Sequence, residues 1–158
     1  MRRSDREVSD KSEIFGIISR CDILRLGLCG EDGPYIVPMC FGALFGGGTF
    51  TLYLHSAAQG MKMELIRRGG RACFEADTGV KLVPGREACS FSFEYESVIG
   101  FGEVCEVSDT EEKKLALRLI MEHYVKGMEF SFTNGQADTV SVLRLRADSV
   151  TGKRSKAR

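Results

Sequence analysis

His55, Ser56, Ala57, Ala58, Gln59, Gly60, Met61 and Lys62 follow one another in the chain. They offer an imidazole, a hydroxyl, main-chain N–H groups not shielded by large side chains, and an ammonium. An anion suits that set. Small residues admit it to the main chain, a helix N-terminus favours negative charge, and a lysine adds a full positive charge. A phosphate-bearing ligand is therefore the expected occupant, and an ordinary strand-to-helix turn with a solvated lysine is the alternative. The chain contains neither GxGxxG nor GxxxxGK[ST], so a dinucleotide fold or a P-loop is not supported. No serine stands in a GxSxG elbow. His123, between Glu122 and Lys126 in a helical pattern, reads as a surface or interface contact.

The elements around this stretch place it at a corner. Phe50, Leu52 and Leu54 alternate with Thr51, Tyr53 and His55, a strand that puts His55 opposite the hydrophobic layer. Residues 61–68 read as a short helix ended by Gly69-Gly70. Upstream, Asp10 and Glu13 have capping-box spacing before a helix over 10–20. Strands follow at 23–29 and 35–44, joined by a turn at Gly30-Glu31-Asp32-Gly33. Pro38 cannot donate to a ladder, so it marks a sheet edge or bulge where the backbone is free for a ligand. A strand over 71–78 and a long one over 91–106 come next. In the latter Phe91, Phe93, Tyr95, Ile99, Phe101 and Cys105 share one face, an apolar stripe that calls for a partner surface. Gly100 and Gly102 share the other, where something approaches the backbone closely. Asp109 and Glu112 repeat the capping spacing before a helix to about Lys126, whose stripe is Leu117, Ile120, Met121 and Tyr124; a last strand covers 139–147. About six antiparallel strands with three helices predict an α+β, mainly β, barrel or sandwich rather than a Rossmann fold.

The 158 residues suit one domain over 1–158 that buries roughly 70% of its unfolded surface. Twenty-two Lys and Arg balance 22 Asp and Glu, so charge directs the chain neither to nucleic acid nor to a membrane. The basic end, about 153–158, reads as a flexible tail offsetting acidic residues near Glu94 and Glu106. A charged start (Arg2, Arg3, Asp5, Arg6, Glu7) without an apolar run argues against a signal peptide or membrane span, so the cytoplasm is the expected compartment. The six cysteines show no CxxC spacing, and several fall in apolar strand patterns. They are expected to pack as small hydrophobes, with no metal site.

Five segments in order carry a family resemblance: PYIVPMCFG at 34–42, LYLHSAAQGMK at 52–62, YESVIGFGEV at 95–104, TEEK at 110–113 and VTGKR at 150–154. Together they resemble the pyridoxamine 5′-phosphate oxidase-like FMN-binding split barrels, and within these the nitroimidazole-resistance group. The resemblance implies a six-stranded antiparallel Greek-key split β-barrel with short flanking helices. It also implies a homodimer with FMN in the groove between subunits. Val37, Pro38 and Met39, with Cys40 next to them, would then line the isoalloxazine. His55, Ser56 and Ala57 would meet the ribityl chain and phosphate, and His55 would match an active-site histidine. Lys62 would hold the phosphate beside Met61, which stands where a basic residue is common. Tyr95, Ser97 and Val98 would come from the second subunit. The implied activity is an FMN-dependent oxidoreductase that reduces a nitro group or a similar small planar acceptor. Two alternatives stay open: a flavin- or haem-binding carrier or sensor without turnover, and pyridoxamine-phosphate oxidation, which would need further basic residues. After Val37-Pro38 the expected pattern is Leu-Asn-Phe-Gly-Tyr. Here Met39-Cys40-Phe41-Gly42-Ala43 replaces an amide and an aromatic with smaller side chains.

Overall fold

Side-chain alternation produces eight strands in the computed structural model, which describes residues 4–156. They are β1 (Glu7–Val8), β2 (Leu24–Gly30), β3 (Gly33–Met39), β4 (Phe41–Gly46), β5 (Thr49–Ser56), β6 (Arg71–Val83), β7 (Ser92–Glu106) and β8 (Ser141–Ser155). The helices are α1 (Lys11–Ile18), α2 (Met61–Gly69), α3 (Thr110–Tyr124) and α4 (Asn134–Asp138). The fold is α+β and mainly β, as the patterning predicts. The count exceeds six for two reasons. The strand expected over 35–44 breaks at Cys40, and the short β1 pairs with the end of β8 through Glu7–Lys153 and Val8–Gly152. Arg2, Arg3, Ala157 and Arg158 lie outside the described residues.

The sheet runs in the order β3-β2-β6-β7-β8-β5-β4, every pairing antiparallel. Its two edge strands, β3 and β4, are consecutive in sequence and separated by Cys40 alone. The sheet must therefore curl until its edges approach at that residue. β3 and β4 do not pair, so the barrel stays split there. Its interior is filled by alternate residues of the strands: Leu24 and Leu26, Leu52 and Leu54, Phe74, Val98, Leu143 and Leu145 are all fully buried. Ile14, Ile17 and Ile18 of α1 close one part of this core. Burial at roughly 25 cal/mol per Å² makes this packing the main stabilising force.

Two of the helices, α1 and α3, begin where an aspartate supplies an acceptor to a backbone N–H that has none within the helix. Asp10 accepts from the Glu13 N–H and Asp109 from the Glu112 N–H, each at 2.8 Å. The reciprocal half of the second box is not made. The Glu112 carboxylate is instead held by the Arg144 guanidinium at 2.8 and 3.0 Å and by the Tyr53 hydroxyl at 3.0 Å. The close approaches expected at Gly100 and Gly102 are present. A Cβ there would fall 2.3 Å from the Phe74 ring and 2.1 Å from the Arg146 carbonyl oxygen.

Two expectations need correction. The basic end is not a flexible tail through its first residues: Lys153, Arg154 and Ser155 belong to β8. Arg154 pairs with Glu96 at 2.6 Å and with Glu13 at 3.2 Å. All six cysteines are free thiols, yet only Cys21 is fully buried, while Cys29, Cys40, Cys89 and Cys105 are exposed. Burial, and then the nearby Asp77 and Glu75 carboxylates, push the Cys21 thiol up to about 12. Among the described residues no helix is long and apolar enough to cross a membrane.

Candidate functional site

The break at Cys40 is held from behind by α3. The freed Phe41 N–H donates to the Tyr124 hydroxyl at 3.1 Å, and that hydroxyl donates to the Asp22 carbonyl at 2.7 Å. His123, expected as a surface or interface contact, is half-buried within the chain: its Nε2 lies 2.7 Å from the Cys21 carbonyl, and its ring sits 4.4 Å from that of Phe41. Burial lowers its pKa, and the bond to Cys21 only partly offsets that. A carbonyl accepts, so Nε2 carries the proton of the neutral ring. His123 and Tyr124 fix where β3 ends and β4 begins.

On β3 the side chains divide as a strand requires. Val37 packs against the core and Met39 lies within it, whereas Pro38 and the Cys40 thiol are exposed. Met39 thus has only main-chain groups to offer a ligand. Among the described residues β3 has β2 on one side and no strand on the other, so Pro38 stands on a sheet edge there.

The corner after β5 is pinned by ion pairing. Arg67 of α2 binds Glu106 at 2.9 Å and donates to the Ala58 carbonyl at 3.2 Å. Glu106 also accepts from the Ser141 hydroxyl at 2.7 Å, and Ser141 lies opposite Ser56. The Ser141 and then the Arg67 contacts hold the Glu106 carboxyl below the usual range. Ser56 is 8% exposed, whereas Ala57 and Met61 are open to solvent.

Gly60 opens α2 with φ 115°, a value that glycine adopts freely, and no side chain caps the helix. Met63 and Glu64 both donate to the Gly60 carbonyl, so the Met61 and Lys62 N–H groups remain as free donors among the described residues. Lys62 is half-buried and, among those residues, has no ion pair or hydrogen bond. Burial pushes its ammonium below the usual lysine range. An unpaired, partly desolvated cation at an uncapped helix N-terminus is the arrangement that an anion stabilises.

Tyr95 and Ser97 lie on the outward face of β7, and the Lys153 ammonium sits 4.8 Å from the Tyr95 ring centre. Val98 points the other way and is 0% exposed, so its side chain belongs to the core. Within one chain the predicted residues do not all meet. Met61 lines a cleft of about 200 Å³ with the β2–β3 hairpin. His55 opens on a separate cavity of about 310 Å³ against α3. Neither is lined by Tyr95, Ser97 or Val98. Sequence reasoning missed the walls of the His55 cavity, because the Leu117, Ile120 and Met121 stripe carries the same signal whether it faces a core or a pocket.

Residues 10–154 match the family described as pyridoxamine 5′-phosphate oxidase, and the chain belongs to that family. A solved structure from Bacteroides thetaiotaomicron, of a proposed 5-nitroimidazole antibiotic resistance protein, is 38% identical. The match covers 94% of this chain and 86% of that one, with a TM-score of 0.79. Two more distant structures share the fold. A flavocytochrome from Azotobacter vinelandii has 18% identity, coverage of 99% and 72%, and a TM-score of 0.80. An FAD- and haem-binding protein from Mycobacterium smegmatis has 16% identity, coverage of 96% and 74%, and a TM-score of 0.83. No curated protein matches the chain.

Proposed function

We propose that the protein is an FMN-dependent oxidoreductase acting on a small planar acceptor, with the flavin seated between two copies of the chain. The observation that carries this reading is Lys62: a half-buried cation that is unpaired among the described residues and sits beside two N–H donors free among them, an arrangement suited to a phosphate dianion. Family membership and the 38% identity to a proposed nitroimidazole-resistance protein support it.

The residues present fit FMN. Lys62 and the main chain at 61–62 would take the phosphate, with Ser56 and Ala57 near the ribityl chain. The exposed edge of β3 at Val37, Pro38, Met39 and Cys40 would offer carbonyl and N–H groups to the ring. When bound, the flavin would supply two-electron hydride chemistry. The chain's own part is to orient it and to manage protons. The exposed His55 imidazole is the group suited to donate one to a substrate beside the ring. Tyr95, Ser97 and the Val98 main chain would reach the flavin from the second copy.

The absorption spectrum of the purified protein tests this. Flavin bands, with FMN released on denaturation, are expected. A Soret band would favour haem carriage instead, and a colourless protein that takes up neither group would refute the proposal.

A further inference from the structure

Cys40 alone separates the edge strands β3 and β4, and its neighbours decide what its main chain can offer a ligand. Pro38 stands opposite Arg25 in the ladder and has no N–H to give, so the hydrogen bonds to β2 run through Val37 and Met39. Alternation then turns the Cys40 N–H toward the open edge of the sheet. Among the described residues it makes no hydrogen bond. The next donor along, the Phe41 N–H, is taken by the Tyr124 hydroxyl at 3.1 Å. That hydroxyl donates its one proton to the Asp22 carbonyl, just ahead of β2, at 2.7 Å. Burial pushes the Tyr124 hydroxyl up to about 12, and the adjacent Cys40 thiol acts in the same direction. The hydroxyl therefore stays protonated at neutral pH and keeps both bonds.

The Cys40 N–H is thus held from both sides. Met39 ties the chain before it to Leu24 of β2, and Tyr124 ties the chain after it to Asp22. The His123 ring, 4.4 Å from that of Phe41, packs the same helix against that segment. A donor fixed in this way needs no reorganisation when an acceptor arrives. A flavin ring gains electron density on reduction, and a hydrogen bond to a charged acceptor is roughly twice as strong as one to a neutral acceptor. A fixed donor at the ring edge therefore favours the reduced form.

We infer that Tyr124 is a positioning residue: by tying Phe41 to the Asp22 carbonyl it aims the Cys40 N–H at the flavin ring and so raises the reduction potential of the bound flavin. The presence of a flavin here rests on the oxidoreductase reading. Tyr124 acts on the ring, whereas Lys62 acts on the phosphate.

FMN-loaded parent and Tyr124→Phe, which lacks only the hydroxyl oxygen, are compared by redox titration. If the lost alignment weakens binding of reduced FMN about tenfold more than that of oxidised FMN, the two-electron potential falls by about 30 mV. That fall is the expected result, with a displaced flavin absorption maximum and oxidised FMN bound within about threefold of the parent. A parental potential and spectrum, whatever the urea midpoint does, would make Tyr124 structural only and overturn the inference. A second measurement needs no variant. Carbonyl-¹³C methionine with ¹⁵N cysteine singles out the Met39–Cys40 peptide, because no other Met-Cys pair occurs in the sequence. Its amide proton should move downfield when FMN binds to the parent and further when the flavin is reduced. A resonance that does not move overturns the inference. A parent that takes up no FMN defeats it together with the oxidoreductase reading. A lowered potential in Tyr124→Phe, from a parent that reduces neither nitrobenzene nor a quinone, would uphold the role of Tyr124 and defeat that reading alone.

Discussion

Lys62 and His123 show how burial gives a single side chain a role. Lys62 lost water without gaining a carboxylate, and an anion restores what it lost. His123 lost water and kept its neutral form, bonded to the Cys21 carbonyl. Its folded pKa is below the unfolded value of 6.5, so the unfolded chain takes up the proton first on acidification. The stability that neutral His123 contributes is complete above about pH 6.5 and is lost as pH falls toward the lower folded value. The urea midpoint should therefore drop between pH 7 and pH 5, and His123→Gln should drop less over the same range. Parallel pH profiles for the two would remove His123 from that dependence. The Lys62 corner was legible in the sequence because its residues are contiguous. The roles of His123 and Tyr124 were not, because their partners Cys21 and Asp22 lie 102 positions away in each case.

At the level of elements, the position of α3 decides the site. It closes the β3–β4 break through Tyr124 and walls the His55 cavity through Leu117 and Met121. It comes this close to β4 because residue 42 is glycine. A Cβ on Gly42 would lie 2.6 Å from the Ile120 nitrogen and 2.6 Å from the Leu119 carbonyl carbon, both main-chain atoms that cannot rotate away. Gly42→Ala should thus destabilise the fold by about 1–3 kcal/mol, as overpacking does. Urea unfolding measures this, and an unchanged midpoint would mean that α3 shifts freely on β4. Period-two alternation made most strands readable, the aspartate caps did the same for α1 and α3, and the closing Gly69-Gly70 did so for α2. The break at Cys40 was not readable, because nothing in Val37-Pro38-Met39-Cys40-Phe41 shows that the sheet must curl until its edges meet there. The course of β8 through Ser155 follows from its ladder with β7 and β1, partners distant in sequence that the tail's composition does not reveal.

For the whole molecule, the outward face of the sheet is the feature that one chain leaves unfinished. Ile99 and Phe101 are 45% and 49% exposed, and Ile36 lies in the same cross-strand row as Phe101 through Gly27 and Cys73. On the proposed reading this face meets a second copy and carries Tyr95 and Ser97 to the partner's flavin. The parent protein should then sediment as a dimer. Phe101→Glu, a charge placed in that face, should sediment as a monomer with weakened flavin binding. A monomeric parent that binds FMN tightly would contradict the shared groove. The apolar stripe of β7 was visible in the sequence, and its exposure in the folded chain agrees with that pattern. The central claim, that the corner after β5 holds the FMN phosphate, is tested most directly by titrating FMN into flavin-free parent and Lys62→Ala and following the quenching of flavin fluorescence. The account predicts that the substitution weakens binding by about 1–3 kcal/mol, the range for a charge-assisted contact. An unchanged dissociation constant would contradict it.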